Sequence, residues 1–267
     1  MIATPQLHPL SLELHGHRFW RRVSSYDFTA HQPLLPLAGM ELIQAAQALP
    51  IAFVQLEGGF HCVAVVGTRL GECLFVGDAG RWEAAYVPAV LACHPFSLAR
   101  QDAEKLIVCI DEASGLMSDS PQDEPIFHDG KLTAATQRVF EFLNQIHTSH
   151  VATRRACEAM HVHGLLKPWD ITLENTPGSL TKVKGLFCVD EAALNALPDG
   201  AFLELRRCGA LVVAYAQLLA RQHIQKIAKL AAVKARQEAD KAAVSQMLAQ
   251  GGTLNLAFME GDKLRFH

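Results

Sequence analysis

The sequence lacks an apolar run long enough to cross a lipid bilayer. Its longest uncharged runs are residues 42–56 and 84–99. Both are shorter than the roughly 18–20 residues that a spanning helix needs, and both contain proline. The amino-terminal segment also lacks a basic stretch followed by an apolar run and a small-residue cleavage site, as a secretory signal peptide would have. We therefore expect a cytoplasmic protein without membrane spans.

An excess of charge of either sign is also missing. The 267 residues include 24 Lys and Arg against 27 Asp and Glu, which leaves a net charge of −3 with His neutral. A protein that coats nucleic acid needs a strongly basic surface, so we predict no nucleic-acid partner. Because 50% of the residues are hydrophobic and only 19% are charged, the composition excludes a mainly disordered chain and predicts a packed core.

The common motifs of catalysis and cofactor binding are absent from the sequence. It contains no CxxC, HExxH, GxSxG, GxGxxG or GxxxxGK[ST] spacing. The two pairs His15-Gly-His17 and His161-Val-His163 have no third ligand at a recognisable distance along the chain. Seven Cys, an odd number without close pairs, are interpreted as small buried side chains of a reducing compartment. We predict no metal site and no cofactor.

What is present is a pair of apolar patterns that together predict an α+β fold. Residues 51–56 and 60–66 flank Gly58-Gly59 and predict a hairpin. Residues 139, 142, 143 and 146 have the spacing of a helix face. Because the predicted strands follow one another through short turns, we expect a mainly antiparallel sheet packed by helices. The predicted strands are 51–56, 60–66, 74–76, 82–86, 106–110 and 180–189, and the predicted helices are 39–48, 134–147, 151–163, 191–197 and 208–249.

The last part of the sequence predicts a separate arm. We expect an α+β core domain over residues 1–220. Residues 221–267 are expected to form a helical arm and a terminal hairpin (253–258 with 263–266), packed on the core or on a second subunit. The arm combines basic side chains with an apolar stripe. That pattern is compatible with an anionic surface or with a dimerising helix, and a helix of about 40 residues favours a homodimer.

Two similar segments each contain a pair of acidic residues. Residues 108–113 and 187–192 read Val-Cys-Ile-Asp-Glu-Ala and Phe-Cys-Val-Asp-Glu-Ala, which leaves open an internal duplication or a chance likeness. Asp111 and Asp190 therefore each follow a predicted strand. Such an acid can face a substrate or a cation, or it can accept the first free amides of a helix as an N-cap.

An aromatic cluster lies between residues 81 and 96. Trp82, Tyr86, Pro88 and Phe96 offer large apolar faces, and Arg81 and His94 add polar groups. Side chains of this kind can line a groove for a peptide, an aromatic compound or a sugar. The alternative is a core plug where the sheet meets a helix.

The order of these segments resembles the SapC family of bacterial proteins. The likeness extends over nearly the whole chain, and its landmarks include Glu41, Leu49-Pro50-Ile51, Leu74-Phe75-Val76, Gly80-Arg81-Trp82, Tyr86-Val87-Pro88-Ala89, His94-Pro95-Phe96, Cys109-Ile110-Asp111-Glu112, Leu166-Lys167-Pro168, Phe187-Cys188-Val189-Asp190-Glu191 and Tyr215-Ala216-Gln217-Leu218. The sequence departs from the family pattern at Cys73, at Gly77 and at Ala92-Cys93-His94. The resemblance implies a link with surface-layer protein loci and no settled activity.

From the residues and the resemblance together we predict one ligand-binding set. It comprises Glu41, Arg81, Trp82, Tyr86, Pro88, His94, Phe96, Asp111 and Asp190. The predicted function is a cytoplasmic binding or accessory protein for a peptide, a small aromatic ligand or a surface-layer-related substrate. The alternative is an enzyme, oxygenase-like or transferase-like, that uses scattered His and acidic residues.

Overall fold

The computed structural model describes residues 5–102, 105–176 and 179–249. The strands are β1 (Leu7–Pro9), β2 (Phe19–Trp20), β3 (Leu34–Pro36), β4 (Ile51–Leu56), β5 (Gly59–Val65), β6 (Phe96–Arg100), β7 (Leu106–Asp111), β8 (Met117–Ser118), β9 (Glu124–Pro125), β10 (Phe127–His128), β11 (Lys131–Leu132), β12 (Leu166–Pro168), β13 (Ile171–Thr176), β14 (Ser179–Val183) and β15 (Leu186–Val189). The helices are α1 (Leu12–His15), α2 (Leu42–Ala45), α3 (Ala89–Ala92), α4 (Ala134–Val162), α5 (Glu191–Asn195), α6 (Asp199–Arg207), α7 (Ala210–Ala220) and α8 (Ile224–Ala249). The predicted α+β class with a long C-terminal helix is confirmed.

The largest sheet has five strands in the order β12-β15-β4-β5-β3, and every neighbouring pair is antiparallel. Its centre is the predicted hairpin, in which Ile51 pairs with Ala64 and Leu56 pairs with Gly59. The turn needs glycine because Gly58 and Gly59 have φ values of 87° and 114°. Residues with a side chain rarely adopt such positive φ values. A second sheet has the order β1-β7-β6, and a third has the order β8-β2-β9.

Two hydrophobic clusters fill the interior. The larger one surrounds the five-stranded sheet and includes Phe53 and Phe75. The smaller one surrounds Trp20 and Phe96. Helix α4 joins the two, because Leu143 in its first half belongs to the smaller cluster and residues in its second half belong to the larger one.

That bridging role explains why the predicted helices 134–147 and 151–163 are one helix of 29 residues. The stretch between them contains no proline or glycine to end the helix. Two hydroxyl groups in and just after this stretch accept hydrogen bonds from another segment of the chain. Gly39 N donates to Thr153 Oγ1 (2.7 Å), and Met40 N donates to Ser149 Oγ (2.9 Å). Side chains that resemble a helix stop in the sequence therefore anchor the segment before α2.

Five other predicted elements differ from the structure. Residues 74–76 and 82–86 form no regular strands and make only a bridge between Val76 and Trp82, because the backbone there bonds to several different partners. The predicted strand 180–189 is two strands, since Gly185 turns the chain at a φ of 80°. The helix predicted over 39–48 is a 3-10 turn, Gly39–Glu41, followed by α2. The helix predicted over 208–249 is α7, a 3-10 turn (Arg221–His223) and α8.

The first part of α8 packs on the core. Ile227 in α8 is fully buried in the larger cluster, and Lys226 Nζ lies 5.2 Å from the centre of the Phe75 ring. Lys234 Nζ donates to the carbonyl of Cys73 (3.3 Å). The predicted terminal hairpin lies outside the described residues. Across the three described ranges, no helix is both long and apolar enough to cross a membrane.

Candidate functional site

A cleft of about 420 Å³ opens beside the smaller hydrophobic cluster. We call it the Trp20–Phe142 cleft. Its lining has three parts: the aromatic rings of Trp20, Tyr26, His94 and Phe142, the small apolar side chains of Val23, Ala92, Cys93, Ala135 and Val139, and the guanidinium groups of Arg22 and Arg138. Concave surfaces that are mainly apolar, with a few polar groups, are typical of small-ligand sites.

One wall of the cleft is a single face of α4. Ala135, Arg138, Val139 and Phe142 stand at i, i+3, i+4 and i+7, the spacing that places side chains in one row. The helix begins where it does because Thr133 caps it, with its Oγ1 accepting from Thr136 N (3.3 Å). The same hydroxyl donates to the carbonyl of Pro125 (2.8 Å), so the start of the helix is tied to the sheet that contains Trp20.

Trp20 forms another part of the cleft wall. Its strand, β2, pairs with β8 on one side and with β9 on the other. The indole is 5% exposed and packs edge-on against Phe96, with ring centres 5.0 Å apart. Within the described residues, its Nε1 has no hydrogen-bond partner. An indole N–H can only donate, and a buried donor without an acceptor costs about 1–3 kcal/mol.

His94 lines the same cleft, and its ring stacks on Phe28 with centres 3.9 Å apart. Burial lowers the pKa of His94, and the charge of Asp111 opposes that shift only in part. The imidazole is therefore neutral at pH 7, and one of its nitrogens can accept a proton or a hydrogen bond. No partner of His94 Nε2 occurs in the described part of the chain.

The neighbouring thiol does not complete a nucleophilic pair. Burial raises the pKa of Cys93 to about 12, so the side chain is a protonated thiol at neutral pH and not the reactive thiolate. Nor do three His, Cys, Asp or Glu side chains come together as a possible metal site anywhere in ranges 5–102, 105–176 and 179–249. The groups that the cleft offers a ligand are aromatic rings, two guanidinium groups and a neutral imidazole.

Three residues of the predicted set, Glu41, Trp82 and Tyr86, lie together but do not line the cleft. Glu41 is 3% exposed; its Oε2 accepts from Tyr86 Oη (2.9 Å) and from Ala89 N (2.7 Å), and its Oε1 accepts from Ala38 N (2.8 Å). Trp82 Nε1 donates to the carbonyl of Tyr86 (2.7 Å). These three residues, the Glu41 cluster, join the segment before α2 to the start of α3.

The electrostatics of the Glu41 cluster follow from its burial. Burial and the neighbouring Glu41 carboxylate both raise the pKa of Tyr86, so the phenol keeps its proton and remains a donor. Pro88 precedes α3 at the same place, and Tyr26 connects the cluster to the cleft, because its ring centre lies 5.8 Å from that of Trp82. The cluster therefore supports a wall of the Trp20–Phe142 cleft from behind.

The remaining predicted residues are dispersed. Arg81 is exposed and pairs with Glu83 (3.1 Å). Phe96 lies in the core under Trp20. Asp111 accepts from Gln6 N (2.9 Å) and from Ala113 N (3.1 Å). Of the nine predicted residues, His94 is the one found among the residues that line the cleft.

Asp111 ends β7 and Asp190 follows β15, and these two strands belong to different sheets. Each caps the short helical turn that follows it, and Asp190 Oδ1 accepts from Ala192 N (3.1 Å) and Ala193 N (3.4 Å). The two similar sequence segments thus form the same local unit, a strand followed by a capped turn. The two carboxylates have different hydrogen-bond partners and act as separate caps.

Asp190→Asn is expected to destabilise the protein at neutral pH and to have a progressively smaller effect as the pH falls below about 4. The hydrogen bond from Lys167, then that from Ala193 N, holds the pKa of Asp190 below its usual 3.8. Because the folded-state pKa is depressed, the stabilisation is present above the unfolded value and is lost as pH falls through the folded one. Urea midpoints of both proteins between about pH 2 and pH 7 measure it. Asp170→Asn, at an exposed position, is the control; a difference between wild type and Asp190→Asn that does not shrink as the pH is lowered would contradict the charge-based explanation.

Several residues that line the cleft were not predicted from the sequence. Arg22, Tyr26, Arg138 and Phe142 belong to segments that carry no known motif. Two local signals were available: the run Phe19-Trp20-Arg21-Arg22, which combines aromatic and basic residues, and the helical row on α4. Neither signal says that the two segments meet.

Comparison with known proteins identifies one family. The SapC family profile matches residues 10–227, which is most of the chain. No curated protein and no solved structure matches the chain.

Proposed function

We propose that this protein, which belongs to the SapC family, is a binding or accessory protein that holds an aromatic group of its ligand in the Trp20–Phe142 cleft. The observation that carries the proposal is the cleft itself, about 420 Å³ in volume and lined by four rings. Aromatic side chains bind rings through offset or edge-on contacts and large buried apolar areas.

Two polar groups without hydrogen-bond partners favour a ligand-binding role for the cleft. Trp20 Nε1 and His94 Nε2 are buried and without partners in the described residues, and both side chains line the cleft. Native proteins satisfy most buried polar groups. A ligand that reaches these nitrogens recovers the free energy that their isolation costs.

The cellular setting is proposed from the family and the sequence. We propose that the protein works in the cytoplasm for a locus that handles surface-layer or other exported macromolecules, with a peptide or a small aromatic compound as ligand. The Glu41 cluster takes part by holding Tyr26 and α3 in place. The exposed basic and apolar residues of α8 support the further proposal of a homodimer through the C-terminal helix.

Ala135→Trp is expected to weaken binding of 2-naphthamide at least about tenfold. Ala135 lines the cleft, so an indole at this position fills the space that the naphthalene ring requires. The neutral naphthamide tests the ring site without any contribution from charge. Isothermal titration calorimetry measures the dissociation constant.

Ala152→Trp is the matched control, since Ala152 is an exposed residue of the same helix and does not line the cleft. It is expected to bind 2-naphthamide as the wild type does. Failure of the wild type to bind both 2-naphthamide and its charged analogue 2-naphthoate would overturn the proposed function. Equal binding by the two tryptophan variants would overturn the assignment of the cleft.

A further inference from the structure

The cleft carries two positive charges and no negative one. Arg22 and Arg138 line it, and none of its other lining residues is Asp or Glu. The protein as a whole has a net charge of −3, so this local excess of positive charge runs against the overall balance. A cationic concave surface attracts anionic ligands and raises their local concentration.

Neither guanidinium group is neutralised by a carboxylate within the described residues. Arg138 uses its Nε to donate to the carbonyl of Ala134 (3.1 Å), a contact within its own helix, which leaves its terminal nitrogens free to contact a ligand. The two arginines on either side of Trp20 in the sequence are paired: Arg18 with Asp119 at 3.0 Å and Arg21 with Asp123 at 4.0 Å. The two that line the cleft differ from these neighbours in having no ion pair.

The two arginines come from different elements. Arg22 follows β2, and Arg138 lies in the first half of α4, four residues before Phe142. A guanidinium presents a planar fork of donors that matches a carboxylate. Both guanidinium groups line the same cleft as the rings of Trp20 and Phe142, so one ligand in the cleft has donors from two elements within its surroundings.

A third donor points to an oxygen-bearing ligand. Trp20 is only 5% exposed, and its Nε1–H has no acceptor among the described residues. Carboxylate oxygens accept several hydrogen bonds at once, and bonds to a charged acceptor are the stronger kind.

We propose that the ligand is an aromatic carboxylate, with its ring against Trp20 and Phe142 and its carboxylate between Arg22 and Arg138. This inference rests on the proposed function, because it names the chemical class of the ligand that the cleft binds. The carboxylate can belong to a free aromatic acid or to the C-terminus of a peptide that ends in an aromatic residue.

The test compares 2-naphthoate with 2-naphthamide, which have the same ring system and differ in charge. Wild type is expected to bind the naphthoate about tenfold more tightly, and added salt, from about 0.05 to 0.5 M, is expected to reduce that preference. Arg22→Gln and Arg138→Gln are each expected to weaken naphthoate binding about tenfold and to leave naphthamide binding within about twofold.

Arg155→Gln is the matched control, because Arg155 is exposed on the same helix and outside the cleft; it is expected to change neither affinity. A peptide that ends in Phe, with a free or an amidated C-terminus, distinguishes the two sources of the carboxylate. Tighter binding of the free form indicates a peptide terminus, and no binding indicates a free acid. If naphthamide binds and naphthoate binds no better, or if both Gln variants keep the preference, this inference fails while the proposed function stands. If neither compound binds, both fail.

Discussion

Glu41→Ala is expected to lower the free energy of unfolding by about 3 kcal/mol. The carboxylate of Glu41 is 3% exposed and accepts hydrogen bonds from Ala38 N, Ala89 N and Tyr86 Oη. Each buried donor that loses its acceptor costs about 1–3 kcal/mol. The total cost for the three donors is reduced because folding of the alanine variant no longer requires a carboxylate to be removed from water.

Urea unfolding monitored by tryptophan fluorescence measures this loss. Glu41→Gln keeps one acceptor oxygen and is expected to lose less than the alanine variant. Tyr86→Phe removes one of the three donors together with its bond, so a loss of about 1 kcal/mol is expected. Glu57→Ala is the control, because Glu57 is exposed on the turn after β4. A Glu41→Ala protein as stable as Glu57→Ala would show that the carboxylate does not hold the two segments together.

Gln217→Leu is expected to cost about 2–3 kcal/mol, although leucine is close in size and suits the apolar surroundings. Gln217 is fully buried in α7. Its Oε1 accepts from Val189 N (3.0 Å) and its Nε2 donates to the carbonyl of Ile51 (3.3 Å). Leucine leaves both backbone groups without a partner, and each costs about 1–3 kcal/mol when buried.

The position of these two backbone groups explains the size of the effect. Strands β4 and β15 pair at Leu186 with Val54 and at Phe187 with Phe53, and the same register would place Val189 opposite Ile51. The described pairing does not extend that far. The carboxamide of Gln217 connects the two strands where their own ladder has ended, and it attaches α7 to the sheet.

Gln217→Leu and Gln225→Leu make a matched pair for equilibrium unfolding in urea. Gln225 is exposed on α8, so its replacement is expected to change stability by no more than about 0.5 kcal/mol. Amide hydrogen exchange adds a local measurement: the Val189 N–H is expected to lose protection in the Gln217→Leu variant. Unchanged protection together with unchanged stability would refute the bridging role.

Local signals predicted the hairpin well. Two apolar runs around Gly58-Gly59 admit few alternatives, because the positive φ values at both positions suit glycine. The caps at Asp111 and Asp190 were one of two readings of their positions, and the contacts of both residues agree with that reading. Each of these features depends on residues within a few positions of one another.

The continuity of α4 through residues 148–150 could not be predicted in the same way, although its start at Ala134 agrees with the predicted helix 134–147. Ser149 and Thr153 are weak helix formers whose hydroxyls compete for backbone groups, so the sequence around them predicts a break. Their partners are the amides of Met40 and Gly39, more than 100 residues away in the chain. A contact of that separation leaves no pattern in a single sequence.

The candidate site also combines features that the sequence predicts with features that depend on tertiary packing. Residue types alone specified an antiparallel α+β protein of balanced charge, an aromatic cluster near Trp82 and a resemblance that the family profile bears out. Tertiary packing decided which aromatic residues are interior and which line a cleft: it enclosed Trp82 and Tyr86 around Glu41 and brought Trp20, His94 and Phe142 together from three distant segments. The physical reason is that hydropathy and helical spacing report only how much surface a residue must bury, whereas the partner that buries it is set by long-range contacts.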